Sequence, residues 1–207
     1  VPPYHGISGV LMRVMTERRR AKIEKVLSQR QKGLTLVMDN VWDPHNVSAI
    51  YRSCDAFGVP EVHLYYTQCA FPQLSRKTSA SAFKWVNTVR HSNKEELMAA
   101  LRAQNMQVLA TSCSPASRPL ADYDFTKPTA IIMGNEHSGV SPELVPLVDG
   151  EVYIPMYGMV QSFNVSVASA LMLAEASRQR AVAGMYEHRL WTDEEYETRL
   201  NAWLEKA

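Results

Sequence analysis

Apolar residues along the chain form two kinds of pattern, short continuous runs and longer segments with an apolar residue every three or four positions. The continuous runs predict buried parallel strands over 34–39, 61–66, 106–113 and 129–134. Two further candidate strands lie over 83–89 and 151–155. The periodic segments predict helices over 46–57, 93–105 and 164–183. Because strands alternate with helices, the predicted fold class is α/β with a mostly parallel sheet.

Capping signals predict where several helices begin and end. Thr16 and Gly33 bound a basic helix, and Asn46 has the side chain of an N-cap for the helix that follows the first strand. Ser141, followed by proline and glutamate, predicts a further helix start. Residues 192–195 have the sequence of a capping box and predict a C-terminal helix.

The chain divides on this pattern into a basic N-terminal helical extension (1–33), an α/β domain (34–184) and a C-terminal helix (185–207). The first part carries eight Lys or Arg against two Glu, whereas the whole chain has a net charge of only +1. A basic segment beside a mildly acidic body can follow the phosphates of RNA or DNA. A solvated helix face gives the same charge pattern, so charge alone leaves both interpretations open.

Composition argues against several classes of protein. The longest apolar stretch, VASALMLAEA, is about half of what a bilayer crossing needs, and the N-terminus lacks the apolar core of a secretory signal. Cys54, Cys69 and Cys113 lie far apart and never form a Cys-x-x-Cys pair, which argues against a disulfide framework or a structural zinc site. We therefore expect a cytoplasmic protein without a membrane segment or a bound metal.

Three stretches with unusual chemistry follow predicted strands. They are DNVWDPHN at the end of 34–39, IIMGNEHSGVSPE at the end of 129–134, and IPMYGMVQSFN at the end of 151–155. Ligands of open α/β sheets bind beyond the carboxyl ends of the strands. These three loops are therefore the candidate functional site.

Each loop also has an ordinary structural interpretation. Asn46 can serve only as a cap, and Arg52, which lies off the apolar stripe of its helix, can be a solvated charge. The Gly134 loop matches neither a dinucleotide fingerprint nor a phosphate-binding loop, and can be a plain turn. A cap at Ser162 or Asn164 explains one polar group beside the apolar 164–183 helix, but not the whole cluster that includes Gln161.

Taken together and in order, the three stretches resemble the signature motifs of one family. PHNVSAIYRSCDAFG, IIMGNEHSG and IPMYGMVQSFNVSVASALMLAEA are similar to the motifs of the SpoU branch of the SPOUT RNA methyltransferases. Within that branch, the enzymes that methylate the 2'-hydroxyl of guanosine 18 in the tRNA D-loop are the most similar. The likeness extends from about residue 34 to residue 180. It implies a deep trefoil knot in the C-terminal part of the sheet, a homodimer, and S-adenosyl-L-methionine as the methyl donor.

The resemblance also implies roles for particular residues. It makes Arg52 the residue that grips a substrate phosphate and polarises or deprotonates the ribose hydroxyl, a demanding task for a guanidinium that stays charged. The polar residues that the family places around it match Asn46, Glu136, Ser162 and Asn164. Cofactor contacts, largely from backbone, match Thr111, Gly134, Ile154, Met159 and Phe163. The RNA phosphates match Arg18, Arg19, Arg20, Lys22, Arg76, Lys77 and Lys84, with Arg178, Arg180 and Arg189 as an extension.

Three other interpretations compete with this one. The first is 2'-O-methylation of another tRNA position or of ribosomal RNA, although the short segment before residue 34 and its basic helix favour the tRNA D-loop. The second is a catalytically silent RNA-binding paralogue, which the full set of five polar site residues disfavours. An α/β domain that binds an unrelated nucleotide is the least specific alternative.

Overall fold

The computed structural model describes residues 15–68, 70–72 and 82–207. Within these residues the sheet has seven strands: Leu34–Asp39 (β1), Glu61–Tyr65 (β2), Asn87–His91 (β3), Gln107–Thr111 (β4), Arg118–Pro119 (β5), Thr129–Met133 (β6) and Gly150–Tyr153 (β7). The strand order is β3-β2-β1-β6-β4-β7-β5, and every pairing is parallel. The predicted mostly parallel α/β sheet is therefore confirmed.

In the described part of the chain, five α-helices accompany the sheet: Glu17–Ser28 (α1), Pro44–Ala56 (α2), Lys94–Ala103 (α3), Val165–Val182 (α4) and Asp193–Lys206 (α5). Side chains alternate across β1, so Leu36 joins the core with α2 and α4, whereas Val37 joins the core with α3. Helices α2 and α4 pack against each other on one face. Among the described residues, no helix is long and apolar enough to span a membrane.

The terminal helices form a small core of their own. Ile23 and Leu27 of α1 are buried against Leu200 and Trp203 of α5. The predicted capping box is present, because Thr192 and Glu195 exchange hydrogen bonds at the start of α5. The predicted helical segments on both sides of the sheet domain are thus paired with each other.

Several element boundaries differ from the sequence prediction. Helix α1 ends at Ser28, before Gly33, which lies with positive φ in the turn that leads into β1. The candidate strand 83–89 begins only at Asn87, since residues 82–84 form a 3₁₀ turn. Ser141 starts no α-helix, and the chain there forms only a short 3₁₀ turn at Val145–Leu147.

The expectation that Arg180 contacts RNA is wrong, because its side chain is fully buried. Its guanidinium donates hydrogen bonds to the carbonyl oxygens of Phe125 at 2.8 Å, Gly33 at 2.9 Å, and Lys32 and Lys127 at 3.2 Å each. Burial lowers the pKa of Arg180 to about 10, so it stays charged at neutral pH. Arg180 therefore joins the turns that precede β1 and β6, and it stabilises the fold.

Two buried histidines lie side by side on β2 and β3. Nδ1 of His63 is 2.9 Å from Nε2 of His91, and the two rings stack with their centroids 5.1 Å apart. Both side chains are almost completely removed from solvent. The pKa of His91 is lowered, first by desolvation and then by the neighbouring His63, while Glu61 and Glu96 act in the opposite direction.

We expect the protein to lose stability as the pH falls through about 6.5, the ordinary pKa of histidine. Below that pH the unfolded chain binds a proton at His91 that the folded chain still excludes, so protonation favours unfolding. Urea unfolding between about pH 7.5 and about pH 5.5 measures this. His91→Gln is expected to flatten the decline, whereas His188→Gln, at an exposed position, is expected to keep it; an unchanged decline in His91→Gln would contradict the assignment.

Candidate functional site

Three loops meet at the carboxyl end of the sheet. We name them loop A (40–43, between β1 and α2), loop B (134–141, after β6) and loop C (154–164, between β7 and α4). Strands β1 and β6 are neighbours, and β7 is separated from β6 only by β4. The parallel arrangement therefore gathers the three stretches that the sequence singles out.

Asn46 and Glu136 join the loops through hydrogen bonds. The Asn46 amide donates to Oε1 of Glu136 in loop B at 2.8 Å, and its Oδ1 accepts from Nδ2 of Asn164 at 3.1 Å. Oε2 of Glu136 also accepts from the backbone N–H of Trp42 at 3.2 Å, and Oε1 from that of Asp43 at 3.4 Å. One amide and one carboxylate thus connect loop A, loop B and the start of α4.

The position of Asn46 differs from the sequence prediction. The N-cap of α2 is Asp43, whose side chain accepts from the His45 N–H at 2.8 Å, with Pro44 in the first helical position. Asn46 lies inside the first turn, so its amide is not used for capping. Asn164 does cap its helix, because its Oδ1 accepts from the N–H groups of Ser166 and Val167.

Glu136 is held as a carboxylate. Partial burial by itself would raise the pKa of Glu136, but the hydrogen bonds from Asn46 and from the backbone N–H groups of Trp42 and Asp43 outweigh it and lower the pKa. An ionised carboxylate only accepts hydrogen bonds. The donors of loop A and α2 are therefore directed at Glu136 at neutral pH.

Loop B is anchored to β1 and to loop A by polar contacts that the sequence prediction missed. The Ser141 hydroxyl donates to Oδ1 of Asp39 at 2.7 Å, and Nδ2 of Asn135 donates to the carbonyl oxygen of Asn40 at 2.6 Å. Burial raises the pKa of Asp39, and the hydrogen bonds from Ser141 and Asn40 offset only part of this rise. The sequence signal for these contacts was Asp39, a carboxylate at the end of the apolar run that forms β1.

Gly134 is required by the fold of loop B. Loop B turns back on itself through paired hydrogen bonds between Asn135 and Gly139. A Cβ added at Gly134 would lie 2.2 Å from the carbonyl carbon of Gly139 and 2.3 Å from the nitrogen of Val140. Any side chain at position 134 would therefore displace the backbone of the loop.

An open cleft of about 490 Å³ lies between loop B, loop C and the end of β4. Seven of the predicted site residues line it: Thr111, Gly134, Ile154 and Phe163, together with Glu136, Ser162 and Asn164. Met133, Val165 and Met172 add an apolar wall. Met159 does not line the cleft, and its side chain is 99% exposed.

Arg52 lies outside this cleft, on the exposed surface of α2. It is six residues after Asn46, which places it about 9 Å further along the helix axis. Within the described part of the chain, its guanidinium makes no hydrogen bond or ion pair. Arg52 is therefore available to a ligand, as expected for an arginine off the apolar stripe.

The residues expected to contact RNA have varied surroundings. Arg18, Arg19, Arg20 and Lys22 are exposed on α1, where Arg20 pairs with Glu24 and Arg19 donates to the carbonyl oxygen of Ala207. Lys84 is half-buried beside α5. Arg178 and Arg189 form ion pairs with Glu175 and Asp193. Arg76 and Lys77 lie outside the described residues.

Metal ligands are not grouped in the described ranges, since no set of three or more His, Cys, Asp or Glu there is arranged to hold an ion. Cys54 is buried and Cys113 is exposed, and both are free thiols.

Comparison with known proteins identifies the family. Residues 33–174 match the model of the SpoU rRNA methylase family. A Thermus thermophilus protein named tRNA (guanosine(18)-2'-O)-methyltransferase is 45% identical over 195 residues, which cover 94% of this chain and 100% of that protein. An Escherichia coli protein of the same name is 46% identical, over 83% of this chain and 75% of that protein.

Solved structures support the same assignment. A TrmH/SpoU tRNA modifying enzyme of Aquifex aeolicus superimposes with a TM-score of 0.86 at 38% identity, over 92% of this chain and 96% of that chain. The SpoU methyltransferase AviRb of Streptomyces viridochromogenes, crystallised with the cofactor AdoMet, has a TM-score of 0.67 at 29% identity, over 74% and 62% of the two chains. The chain belongs to the SpoU rRNA methylase family.

Proposed function

We propose that this protein transfers a methyl group from S-adenosyl-L-methionine to the ribose 2'-hydroxyl of guanosine 18 in tRNA. The observation that carries the proposal is the junction of Asn46, Glu136 and Asn164, which joins the three loops beside one cleft. The relatives that match nearly the whole chain are named for this reaction. An enzyme that modifies tRNA would act in the cytoplasm.

The cleft of loops B and C suits the methyl donor. Its volume is within the range of roughly 300–1,000 Å³ of small-molecule sites. Ile154, Phe163 and the apolar wall offer a surface for the adenine ring, and the backbone of Thr111 and Gly134 offers polar groups for the rest of the molecule. The bound donor supplies an electrophilic methyl group, so the protein has to position and activate the hydroxyl.

Arg52 is the residue proposed to act on the RNA. Its guanidinium can donate two parallel hydrogen bonds to a phosphate beside the target ribose and also polarise the 2'-hydroxyl. Asn46, in the same helix, is held by Glu136 and Asn164, which fixes the orientation of α2 relative to the cleft. Ser162 lines the cleft from loop C and is proposed to contact the bound molecules there.

The proposed RNA surface consists of the exposed basic residues of α1, with Arg76, Lys77 and Lys84. These charges would bind phosphates without regard to base identity. The basic residues of α1 are exposed on one helix, whose apolar side packs against α5. The site residues select the nucleotide, and the basic helix supplies affinity.

We also propose the finer features of the fold that the family resemblance implies. The chain runs from β6 to β7 beyond β4 and returns to place α4 against α2, which supports a deep trefoil knot around loops B and C. Phe163, Val167 and Leu171 leave an exposed apolar stripe at the start of α4. Such a stripe favours a homodimer, because in an isologous interface the stripes of the two subunits would bury each other.

We expect Arg52→Ala to lower kcat about 10²- to 10³-fold, the usual effect of removing a group that stabilises developing charge. The Kd for unmodified tRNA transcript is expected to change much less, because many other basic residues contribute to binding. Arg52→Lys is expected to recover only part of the activity, since an ammonium lacks the two-pronged geometry. Methyl incorporation from labelled donor, with the product nucleotide mapped by mass spectrometry, measures both rate and position.

Arg118→Ala is the matched control for Arg52, because Arg118 is also exposed but lies on the edge strand β5. It is expected to retain wild-type kcat. A methylated nucleotide other than guanosine 18 would keep the chemistry and reject the proposed target. Tight tRNA binding by wild type without methyl transfer to any position would establish the silent paralogue instead.

We expect Asn46→Asp to destabilise the site although it preserves the shape of the side chain. The new carboxylate faces Glu136 at a distance where the native amide donates a 2.8 Å hydrogen bond. The cost at neutral pH is about 1 kcal/mol, because the pair is partly solvated.

Two results test this prediction by urea unfolding. The pKa of Glu136 is lowered in the wild type, so its contribution is complete above about pH 4.5 and is lost as the pH falls through the folded-state pKa. The difference between Asn46→Asp and wild type should therefore shrink with acidification. Asn201→Asp, at an exposed position of α5, should match wild type; equal stability of all three proteins would reject the role of the pair.

A further inference from the structure

Trp42 is the most conspicuous unused side chain near the site. It lies in loop A, between the buried strand β1 and helix α2, and 69% of its surface is exposed. Within the described residues, its indole makes no ring stacking, cation–π contact or side-chain hydrogen bond. It belongs to none of the core clusters, so packing does not explain it.

The backbone of loop A is fixed while this indole is exposed. The Trp42 N–H donates to Oε2 of Glu136, and the carbonyl oxygen of buried Val41 accepts from the Tyr66 hydroxyl at 2.7 Å. Asn40 is held on both sides, by Asn135 at its carbonyl and by the Thr67 N–H at its side chain. A large flat surface is therefore presented on a rigid loop, at little further cost in backbone entropy upon binding.

The surroundings of Trp42 favour a base over a phosphate. Asp43 follows it in the chain and the Glu136 carboxylate contacts its backbone, so two negative charges lie beside the indole. A phosphate would be repelled at this point, whereas the π-face of a nucleobase would not. The methyl donor is also an unsuitable occupant, because Trp42 is not part of the cleft lining.

We propose that Trp42 is a positioning residue whose indole stacks on an unpaired base of the RNA substrate, at or next to the target nucleotide. Recognition of RNA at loops commonly uses aromatic side chains that stack on unstacked bases. Trp42 lies two residues before the start of α2 and four residues before Asn46. The stacking would therefore hold the ribose of the bound nucleotide beside this end of α2. This inference rests on the proposed function, since it assumes that RNA binds at the three loops.

The test measures RNA binding and turnover in Trp42→Ala and Trp42→Phe. Alanine removes the stacking surface and should raise Kd and KM for tRNA transcript about ten-fold, while phenylalanine should stay within about three-fold of wild type. The slope of log Kd against log salt should not change in Trp42→Ala, because no phosphate contact is lost. Arg18→Ala, at an exposed position of α1, is the contrasting variant and should reduce that slope.

Intrinsic fluorescence gives a signal that a merely structural role would not produce. Stacking with a base should quench Trp42 when tRNA is added, so wild type should be quenched more than Trp42→Phe, which keeps the tryptophans at 85, 191 and 203. Equal quenching together with an unchanged KM in Trp42→Ala would overturn the proposal. Quenching that follows protein concentration and not RNA would assign the indole to a second copy of the chain, and would also overturn it.

The two hypotheses fail in different ways. If wild type methylates no RNA, the proposed function fails, whatever Trp42 does. If wild type methylates tRNA while Trp42→Ala binds and turns over normally, the proposed function stands and the stacking role is rejected.

Discussion

A parallel sheet brings loops to one edge but does not fix their relative positions; here that task falls to a partly solvated carboxylate. Glu136 accepts hydrogen bonds from the Asn46 amide and from two backbone N–H groups of loop A, and Asn46 in turn accepts from Asn164. Because an ionised carboxylate accepts hydrogen bonds and cannot donate them, the Asn46 amide and the two N–H groups of loop A all donate to it. The Asn164 amide is linked to Glu136 only through Asn46. The positions of loop A, of the Arg52 helix and of the start of α4 therefore depend on one charged group.

Buried contacts behind this junction keep it in place. Asp39 at the end of β1 accepts from Ser141, and Asn135 reaches back to the backbone of loop A, so loop B is attached to the strand beside it. Burial of Asp39 is costly unless its oxygens accept hydrogen bonds, which makes this pairing specific. At the opposite end of the sheet, Arg180 joins the turns that enter β1 and β6. Strands β1 and β6, which lead into loops A and B, are thus held by polar contacts at both ends.

Local pattern was sufficient for most strands and helices, because buried parallel strands are continuously apolar and β1 and β6 are buried throughout. It did not predict the two-residue edge strand β5, and it placed β3 too early in the chain. It failed where a distant partner decided the outcome. Ser141 carries a good helix-start signal, yet its hydroxyl binds Asp39, which is 102 residues earlier. Arg180 has the sequence of a surface charge on α4, but carbonyl groups from two other turns surround it. The sequence Asp43-Pro44 indicates an N-cap at Asp43, but the cap was predicted at Asn46. Because Asn46 does not cap the helix, its side chain is available to bind Glu136.

The site residues themselves were found by motif order rather than by chemistry. Spacing shows that polar residues follow the strands, but only the fold shows that Asn46, Glu136 and Asn164 contact one another. The central claim is that these residues act as one unit, and a double-mutant cycle on kcat/KM with Asn46→Ala and Glu136→Gln tests it most directly. We predict that the double variant is little worse than either single variant, which corresponds to a coupling free energy of about 1 kcal/mol or more. If instead the loss of kcat/KM in the double variant equals the product of the two single-variant losses, the coupling free energy is near zero and the claim is contradicted.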